Sequence, residues 1–399
     1  MRLPSPYDRM LAPVYVPTLL MSLSQEALLI LLPLYVLELG ASPGIAALVV
    51  GLRGVGVLLF DVPAGMLVAR FGDKPVLIGG LVSILFGMFA LALAPGVWAV
   101  APAALLLGAG YAAWMLGRQS YITQTCAPGE VGRAIAVMAG LQRVGAFAGP
   151  AAGGLIASAL SYPAAFLGGA ISVLIAGACV LVFTQHVEPA RSTGGSLLAG
   201  TGRVLRAHGS TFATAGTAAL ALQLMRATRQ LLVPLAGQSI GLDVASIGIL
   251  YSMSAAVDMS LFYPVGVLVD RRGRKWSAVP CMVLFAAGLA LLPFATDFAE
   301  LLGAVLLLGL ANGLGTGIVM ILGSDFASAS GRRGEFLGLW RLIGDAGMSG
   351  APLLAGALLE VSGMVLASTV AAGIGLAGAL VMVFLVGETL PAGDRQRLR

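Results

Sequence analysis

The chain has 399 residues, of which 58% are hydrophobic and only 10% charged, and its mean hydropathy is +0.96. A soluble globular chain carries about 25% charge, so the composition excludes that class and places the chain in a membrane. The net charge of +5 would suggest nucleic acid in a soluble protein, but here topology explains it and no nucleic-acid partner is expected.

At about 20 residues per crossing there is room for about twelve helices. The apolar runs are too long for barrel strands and do not alternate. They predict spans at 11–39, 44–69, 75–94, 97–126, 132–158, 162–185, 210–240, 244–269, 276–296, 299–326, 334–360 and 363–387. The first run has no small-residue cleavage site after it, so it reads as a span rather than a removable signal. The longest polar stretch separates a first six-helix bundle, 1–185, from a second, 210–387, through a cytoplasmic linker at 186–209. A cytoplasmic tail follows at 388–399. Cys126, Cys179 and Cys281 lack metal-ligand spacing and read as small core residues. His186 and His208 both fall in the linker, too far apart to form a ligand pair. No metal or cofactor is expected.

Orientation follows from the positive-inside bias. With the N-terminus inside, cytoplasmic segments hold Arg2, Arg9, Arg70, Lys74, Arg133, Arg191, Arg203, Arg206, Arg271, Arg272, Arg274, Lys275, Arg332, Arg333, Arg395, Arg397 and Arg399. The outside loops carry only acids, namely Glu38, Asp243, Asp297, Glu300 and Glu360. Both ends of the chain are therefore expected in the cytoplasm of a cell with an inner membrane.

The halves repeat. The segment Gly65–Lys74 matches Gly266–Lys275 at an offset of 201, as Pro33 matches Pro234 and Gly40 matches Gly241. Gly132, Gly145, Pro150 and Gly154 match Gly334, Gly347, Pro352 and Gly356 at an offset of 202. A parallel repeat of two six-helix halves is a transporter architecture, with a substrate site near the midplane.

The segment Gly266-Val267-Leu268-Val269-Asp270-Arg271-Arg272-Gly273-Arg274-Lys275 is the densest charge cluster in the chain. It resembles the signature G-x-L-x-D-R-x-G-R-K of the major facilitator superfamily at every defined position. The first copy departs from it, with Ala69 at the acid position and Asp73 at a basic one. Span 5 carries Gly145-x-x-x-Gly149-Pro150-x-x-Gly153-Gly154, which looks like the antiporter signature of that superfamily's drug/proton exporters. The resemblance implies the major facilitator fold, all-α, with twelve transmembrane helices as two pseudo-symmetric six-helix bundles. It also implies that the Gly266–Lys275 loop, through Gly266, Asp270, Arg271, Gly273, Arg274 and Lys275, gates the cytoplasmic side. Asp270 is expected at a helix end, and the bases are expected to reach neighbouring helices. In span 5, Pro150 removes a helix hydrogen bond and the glycines permit close approach, so a bend and a seam against span 8 are expected.

Six bases and five acids remain inside the spans. They are Arg53, Arg118, Arg143, Arg226, Arg229 and Arg341, with Glu26, Asp61, Asp258, Asp325 and Asp345. Each costs at least about 2.5 kcal/mol if left facing lipid, so each must face a cavity or a partner. Spans 1, 4, 7 and 10 carry Glu26, Arg118, Arg226 with Arg229, and Asp325, while spans 3, 6, 9 and 12 carry none. The resemblance implies that the first set lines the central cavity.

Glu26, near the middle of span 1, is the first candidate for a proton carrier, since a carboxylate in a low-dielectric cavity can load and release a proton. A permanent structural ion pair is its alternative. Asp61 and Asp258 are further proton-site candidates, with no partner evident for Asp258. Arg226 and Arg229 share a helix face and are fixed counter-charges for a substrate or for Glu26. Arg118 and Asp325 are candidate inner-gate partners, and Arg341 and Asp345 pair at i,i+4. Arg143 aligns with Asp345 in the repeat and is a further gate or packing ion. Trp114, Trp340, Tyr111, Tyr251 and Met225 are candidates for an apolar substrate path.

These features predict a monomeric secondary transporter in contact with membrane lipid. It would move a small molecule by alternating access, as proton-coupled efflux of an amphipathic or hydrophobic compound. The alternative is a proton-coupled importer or facilitator of a polar or anionic metabolite. No phosphate loop, metal cluster or nucleophile–base constellation points to an enzyme, and the nucleotide motif of a primary pump is missing.

Overall fold

The computed structural model describes residues 10–127, 129–185, 197–328, 330 and 332–389. The expectations on Arg2, Arg9, Arg191, His186, Arg395, Arg397 and Arg399, and most of the tail, fall outside these residues.

An amide in hydrocarbon finds no water, so each apolar run must close its backbone bonds within itself. Twelve long helices result. We name them α1 (Leu11–Glu38), α2 (Pro43–Phe71), α3 (Asp73–Ala92), α4 (Val97–Thr125), α5 (Val131–Ala159), α6 (Tyr162–Phe183), α7 (Thr217–Ser239), α8 (Val244–Arg272), α9 (Lys275–Leu291), α10 (Phe298–Ser328), α11 (333–362) and α12 (364–384). Among the described residues, nine helical stretches are by themselves long and apolar enough to cross a membrane. The expected twelve arise because α5 and α7 are less apolar and because the stretch Arg333–Phe384 holds two crossings. Gly363 breaks that stretch with φ +74°. A linker helix, Leu197–Ala207, precedes α7.

The repeat is written in the backbone. A π-helical turn at Leu11–Tyr15 recurs at Phe212–Gly216, in each case just before the α-helical run. The segment Val16–Glu38 recurs as Thr217–Ser239, and Pro43–Phe71 as Val244–Arg272. All three pairs keep the offset of 201.

Helix starts are capped where the chain re-enters from a loop. Ser42 accepts from Ile45 N at 3.3 Å and Ser161 from Ala164 N at 3.2 Å. At α10, Asp297 accepts from Glu300 N at 2.8 Å, while the Glu300 carboxylate accepts from Thr296 N at 2.8 Å. Such reciprocal caps satisfy amides that have no helical partner. At α8 the cap is Asp243, which accepts from Ser246 N at 3.3 Å and from the Ser158 hydroxyl at 3.3 Å. These bonds, with that of the Ser246 side chain foremost, hold the Asp243 carboxyl below its ordinary range.

The chain divides into two compact units. Unit 1 comprises Met1–Ser192 with Gly241–Ser252, and unit 2 comprises Thr193–Ile240 with Met253–Arg399. In unit 1 the small residues set the helix spacing. A Cβ at Gly80 would lie 2.8 Å from Gly110 O, bringing α3 against α4. In unit 2 the aromatic stack Phe212–Phe336–Trp340, with centroids 4.8 and 6.2 Å apart, ties α11 to the turn before α7.

The turn between α8 and α9 depends on Gly273, at φ +106°. A Cβ there would lie 2.5 Å from Glu388 Oε2. Gly273→Ala is therefore expected to destabilise the protein by about 1–3 kcal/mol, read as a lower unfolding temperature in detergent. Gly266→Ala, where an added Cβ meets nothing within 4 Å, should leave that temperature unchanged.

Candidate functional site

Residues at i, i+3, i+4 and i+7 share one face of a helix. On α1 that face presents Met21, Ser22, Gln25 and Glu26, and on α4 it presents Tyr111, Trp114, Met115 and Arg118. With Gln142 of α5 they line a small polar dimple of about 30 Å³ within unit 1. Arg118 is buried, with 3% of its surface exposed. Its Nη1 donates to Thr18 Oγ1 at 3.2 Å and its Nη2 to Met115 Sδ at 3.0 Å, and the guanidinium lies over the Trp114 ring at 5.6 Å. Arg53 reaches in from α2. It donates to Gln25 Oε1 and lies over the Tyr111 ring at 5.8 Å, with Glu26 as an electrostatic neighbour. The structure thus unites four expected residues, Glu26, Arg118, Trp114 and Tyr111, and brings Arg53, one of the charges inside the spans, beside them. It adds Gln25 and Gln142, to which the sequence gave no role.

The glycines of α5 shape the same site from behind. Gly145, Gly149 and Gly153 recur every four residues and face α1. A Cβ at Gly149 would lie 2.6 Å from Leu23 O and 3.0 Å from Glu26 Cβ, and one at Gly153 would lie 2.6 Å from Ala27 Cβ. These three glycines make a seam against α1, while Pro150, Ala151 and Gly154 meet the first turns of α8, where a seam was expected. A Cβ at Gly154 would lie 2.6 Å from Val244 O, and one at Gly248 would collide with the Pro150 carbonyl. Next to Pro150, the Ala151 amide donates to Ser252 Oγ at 3.1 Å.

In unit 2 several charged side chains bond to uncharged groups. Arg226 donates to Gln223 Oε1 at 2.9 Å and to Gly315 O at 2.7 Å. That carbonyl is available because α10 is interrupted between Leu314 and Ile318. Arg229 donates to Ser254 Oγ at 2.8 Å, and Ser254 donates in turn to Val305 O at 2.7 Å. Asp258, for which the sequence offered no partner, accepts from Asn312 Nδ2 at 2.7 Å and from Thr316 Oγ1 at 3.2 Å. The pair Arg341–Asp345 forms as expected, at 3.3 Å. Asp61 and Arg143 are half-buried on α2 and α5. Trp340 donates to Val319 O at 2.8 Å, and Tyr251 and Met225 are buried.

The Gly266–Lys275 loop is clamped inside unit 2. Arg274 Nε meets Asp325 Oδ2 at 2.9 Å, and Thr389 donates to the same oxygen at 2.6 Å. Asp325 is thus the partner of Arg274 within unit 2. Lys275 Nζ donates to Val383 O at 2.8 Å, in the last turn of α12. Asp270 does not cap a helix start. It is exposed in the last turn of α8, where the helix dipole disfavours an acid. Glu388 does the capping, accepting from Arg274 N at 2.9 Å and Lys275 N at 3.2 Å. Arg271 is exposed, and Arg272 lies over the Trp276 ring at 5.7 Å.

The first copy keeps this frame with reversed polarity. Lys74 Nζ donates to Thr184 O at 2.8 Å, just after α6, as Lys275 does to α12. Asp73, at the position of Arg274, is 1% exposed and accepts from Gln124 Nε2 at 3.4 Å. Gln124 is the repeat equivalent of Asp325. The first loop is therefore altered rather than dismantled.

A duplicated set of membrane-crossing helices, with partnered charges inside, marks an integral multi-pass membrane protein of the transporter class. The family model of the Major Facilitator Superfamily matches residues 15–231 and again residues 215–399, and the chain belongs to that superfamily. It is accordingly a transporter of small molecules and not an enzyme. It is similar to the multidrug resistance protein MdtH of Aeromonas hydrophila, at 25% identity over 79% of each chain. To the protein of that name from Aeromonas salmonicida it is 24% identical over 66% of this chain and 65% of the other. Crystal structures of POT family transporters superpose with TM-scores of 0.78 and 0.77, at 9% and 10% identity. Each covers 94% of this chain and 95% of the other, which shows the shared fold.

The Arg274–Asp325 pair is mostly buried, with side chains 11% and 23% exposed. Asp325→Asn is expected to cost about 1–3 kcal/mol of stability, because it strips a charge from an inward-facing hydrogen-bonded group. Exposed Asp270→Asn should stay within about 0.5 kcal/mol. Unfolding curves of the two purified variants in detergent make the comparison.

Proposed function

We propose that the chain is a proton-coupled exporter of small amphipathic compounds. It would sit in the inner membrane with both ends in the cytoplasm and work as a monomer by alternating access. The observation that carries this reading is the position of Glu26. It lines the polar dimple beside two aromatic side chains, and it lies on the α1 face against which Gly149 closes. A proton gained or lost there changes the charge at the substrate wall and at the α1–α5 seam together. That is what coupling requires, because a ligand shifts an equilibrium only through differential affinity for its states. Arg53, fixed to Gln25, supplies a permanent positive charge beside the carboxylate. The partly exposed Tyr111 ring gives an amphipathic compound its apolar contact. The resemblance of α5 to the antiporter signature supports exchange, and the relatives named for multidrug resistance support export.

A second reading, uptake of a polar metabolite together with a proton, is favoured by the Ser22, Gln25 and Gln142 lining of the dimple. Proteoliposomes carrying an imposed pH gradient separate the two. Exchange drives substrate toward the acidic side, whereas co-transport drives it toward the alkaline side. In either case Glu26→Gln is expected to lower gradient-driven flux at least about tenfold, the scale of one lost proton-transfer group, while leaving expression intact. Gradient-driven flux that survives in Glu26→Gln would remove Glu26 from the coupling role.

A further inference from the structure

The dimple in unit 1 has a surplus of hydrogen-bond donors. Three buried donor atoms there have no acceptor, namely Gln25 Nε2, Arg53 Nε and Arg118 Nε. Arg118 is 3% exposed and Gln25 is 5% exposed. No carboxylate among the described residues lies within ion-pair distance of Arg118. Its direct contacts are Thr18, Met115 and Trp114, while Glu26 lies on another part of the dimple wall. A guanidinium cannot shed its proton to escape burial, and a buried charge without a partner is costly.

We infer that the dimple binds the anionic headgroup of an amphipathic organic acid, held by the Arg118 guanidinium with Gln25 and Arg53 beside it, while the partly exposed Tyr111 takes the apolar body. The inference rests on the reading of this dimple as a substrate wall. The dimensions fit. A water occupies about 10–15 Å³ on this measure, so about 30 Å³ admits a group of two water-sized atoms, such as a carboxylate. A planar carboxylate also matches the guanidinium fork, which binds it through two parallel bonds. The bonds of Nη1 to Thr18 and of Nη2 to Met115 hold the guanidinium in place, so the fork is oriented before a ligand arrives.

The test uses the purified full-length protein in detergent with no gradient, so proton coupling plays no part in it. Three probes share one ring system, 1-naphthoate, 1-naphthylmethanol and 1-naphthylmethylammonium, and titration calorimetry near neutral pH measures the affinity of each. The naphthoate is expected to bind at least about tenfold tighter than the alcohol, the yield of one charge-assisted hydrogen bond, and the ammonium weaker still. Arg118→Gln is expected to erase the preference, and Arg118→Lys, which keeps the charge but not the fork, to retain part of it. Arg53→Gln, on another helix, should reduce the preference independently and covers the case in which Arg118→Gln fails to fold. Equal binding of the three probes overturns the inference, as does a naphthoate preference that persists in both glutamine variants. Loss of gradient-driven flux in Glu26→Gln would still support the proposed coupling in either event.

Discussion

A charge inside a bilayer must find its partner within the protein, and arginine cannot avoid this by losing a proton. That constraint organises the interior of the chain more than any single motif does. In unit 2 neutral groups contribute at short range. Arg226 takes the carbonyl exposed where α10 breaks, Arg229 takes a hydroxyl that passes the bond on to Val305 O, and Asp258 takes an amide and a hydroxyl. In unit 1 Arg118 meets a hydroxyl and a thioether at the wall of the polar dimple, with Gln25 and Arg53 bonded to each other beside it. The proposed headgroup site follows from that gathering of donors around one dimple.

The two halves show how a duplicated backbone diverges in chemistry while its packing stays fixed. Gly108 and Gly309 are repeat equivalents, and a Cβ on either would collide with the backbone of an equivalent residue, Arg53 or Ser254. The helix spacing is therefore the same. The donor and acceptor between the helices have changed sides, however. Arg53 of α2 reaches Gln25 of α1 in one copy, while Arg229 of α7 reaches Ser254 of α8 in the other. The signature loops repeat this pattern, with Asp73 accepting from Gln124 and Arg274 donating to Asp325. Selection acted on which element carries the polar group, while glycines held the frame.

Much of the fold was legible in the sequence because the membrane imposes local rules. Apolar length defines each crossing, loop charge defines side, and the offset of 201 links the halves. All of these are read along the chain without knowing which helices touch. Side-chain partners obey no such rule. Arg118 and Thr18 are 100 residues apart, and Asp258 and Asn312 are 54 apart. Thr18, Ser254, Asn312 and Thr316 gave no signal, because uncharged polar residues are ordinary in membrane helices. Glu388 looked like part of a solvated tail, yet it caps α9. One clue was present in the sequence. Asp73 and Gln124 occupy the repeat positions of Arg274 and Asp325, so reading the two columns together would have suggested a contact before the structure gave it.

The glycines of α5 connect the site to the rest of the cycle. Three of them, spaced four apart, let α1 approach so closely that the backbone at Leu23 and the Cβ of Glu26 lie against them. A helix packed through glycine has little side-chain padding, and a change in its neighbour is passed to it directly. Pro150 lies on the same helix and lacks an amide hydrogen, which weakens the resistance of α5 to bending there. Its next amide, Ala151 N, is already engaged by Ser252 of α8. Glu26, the glycine face and Pro150 therefore form one continuous line of contact from the polar dimple to the first turns of α8.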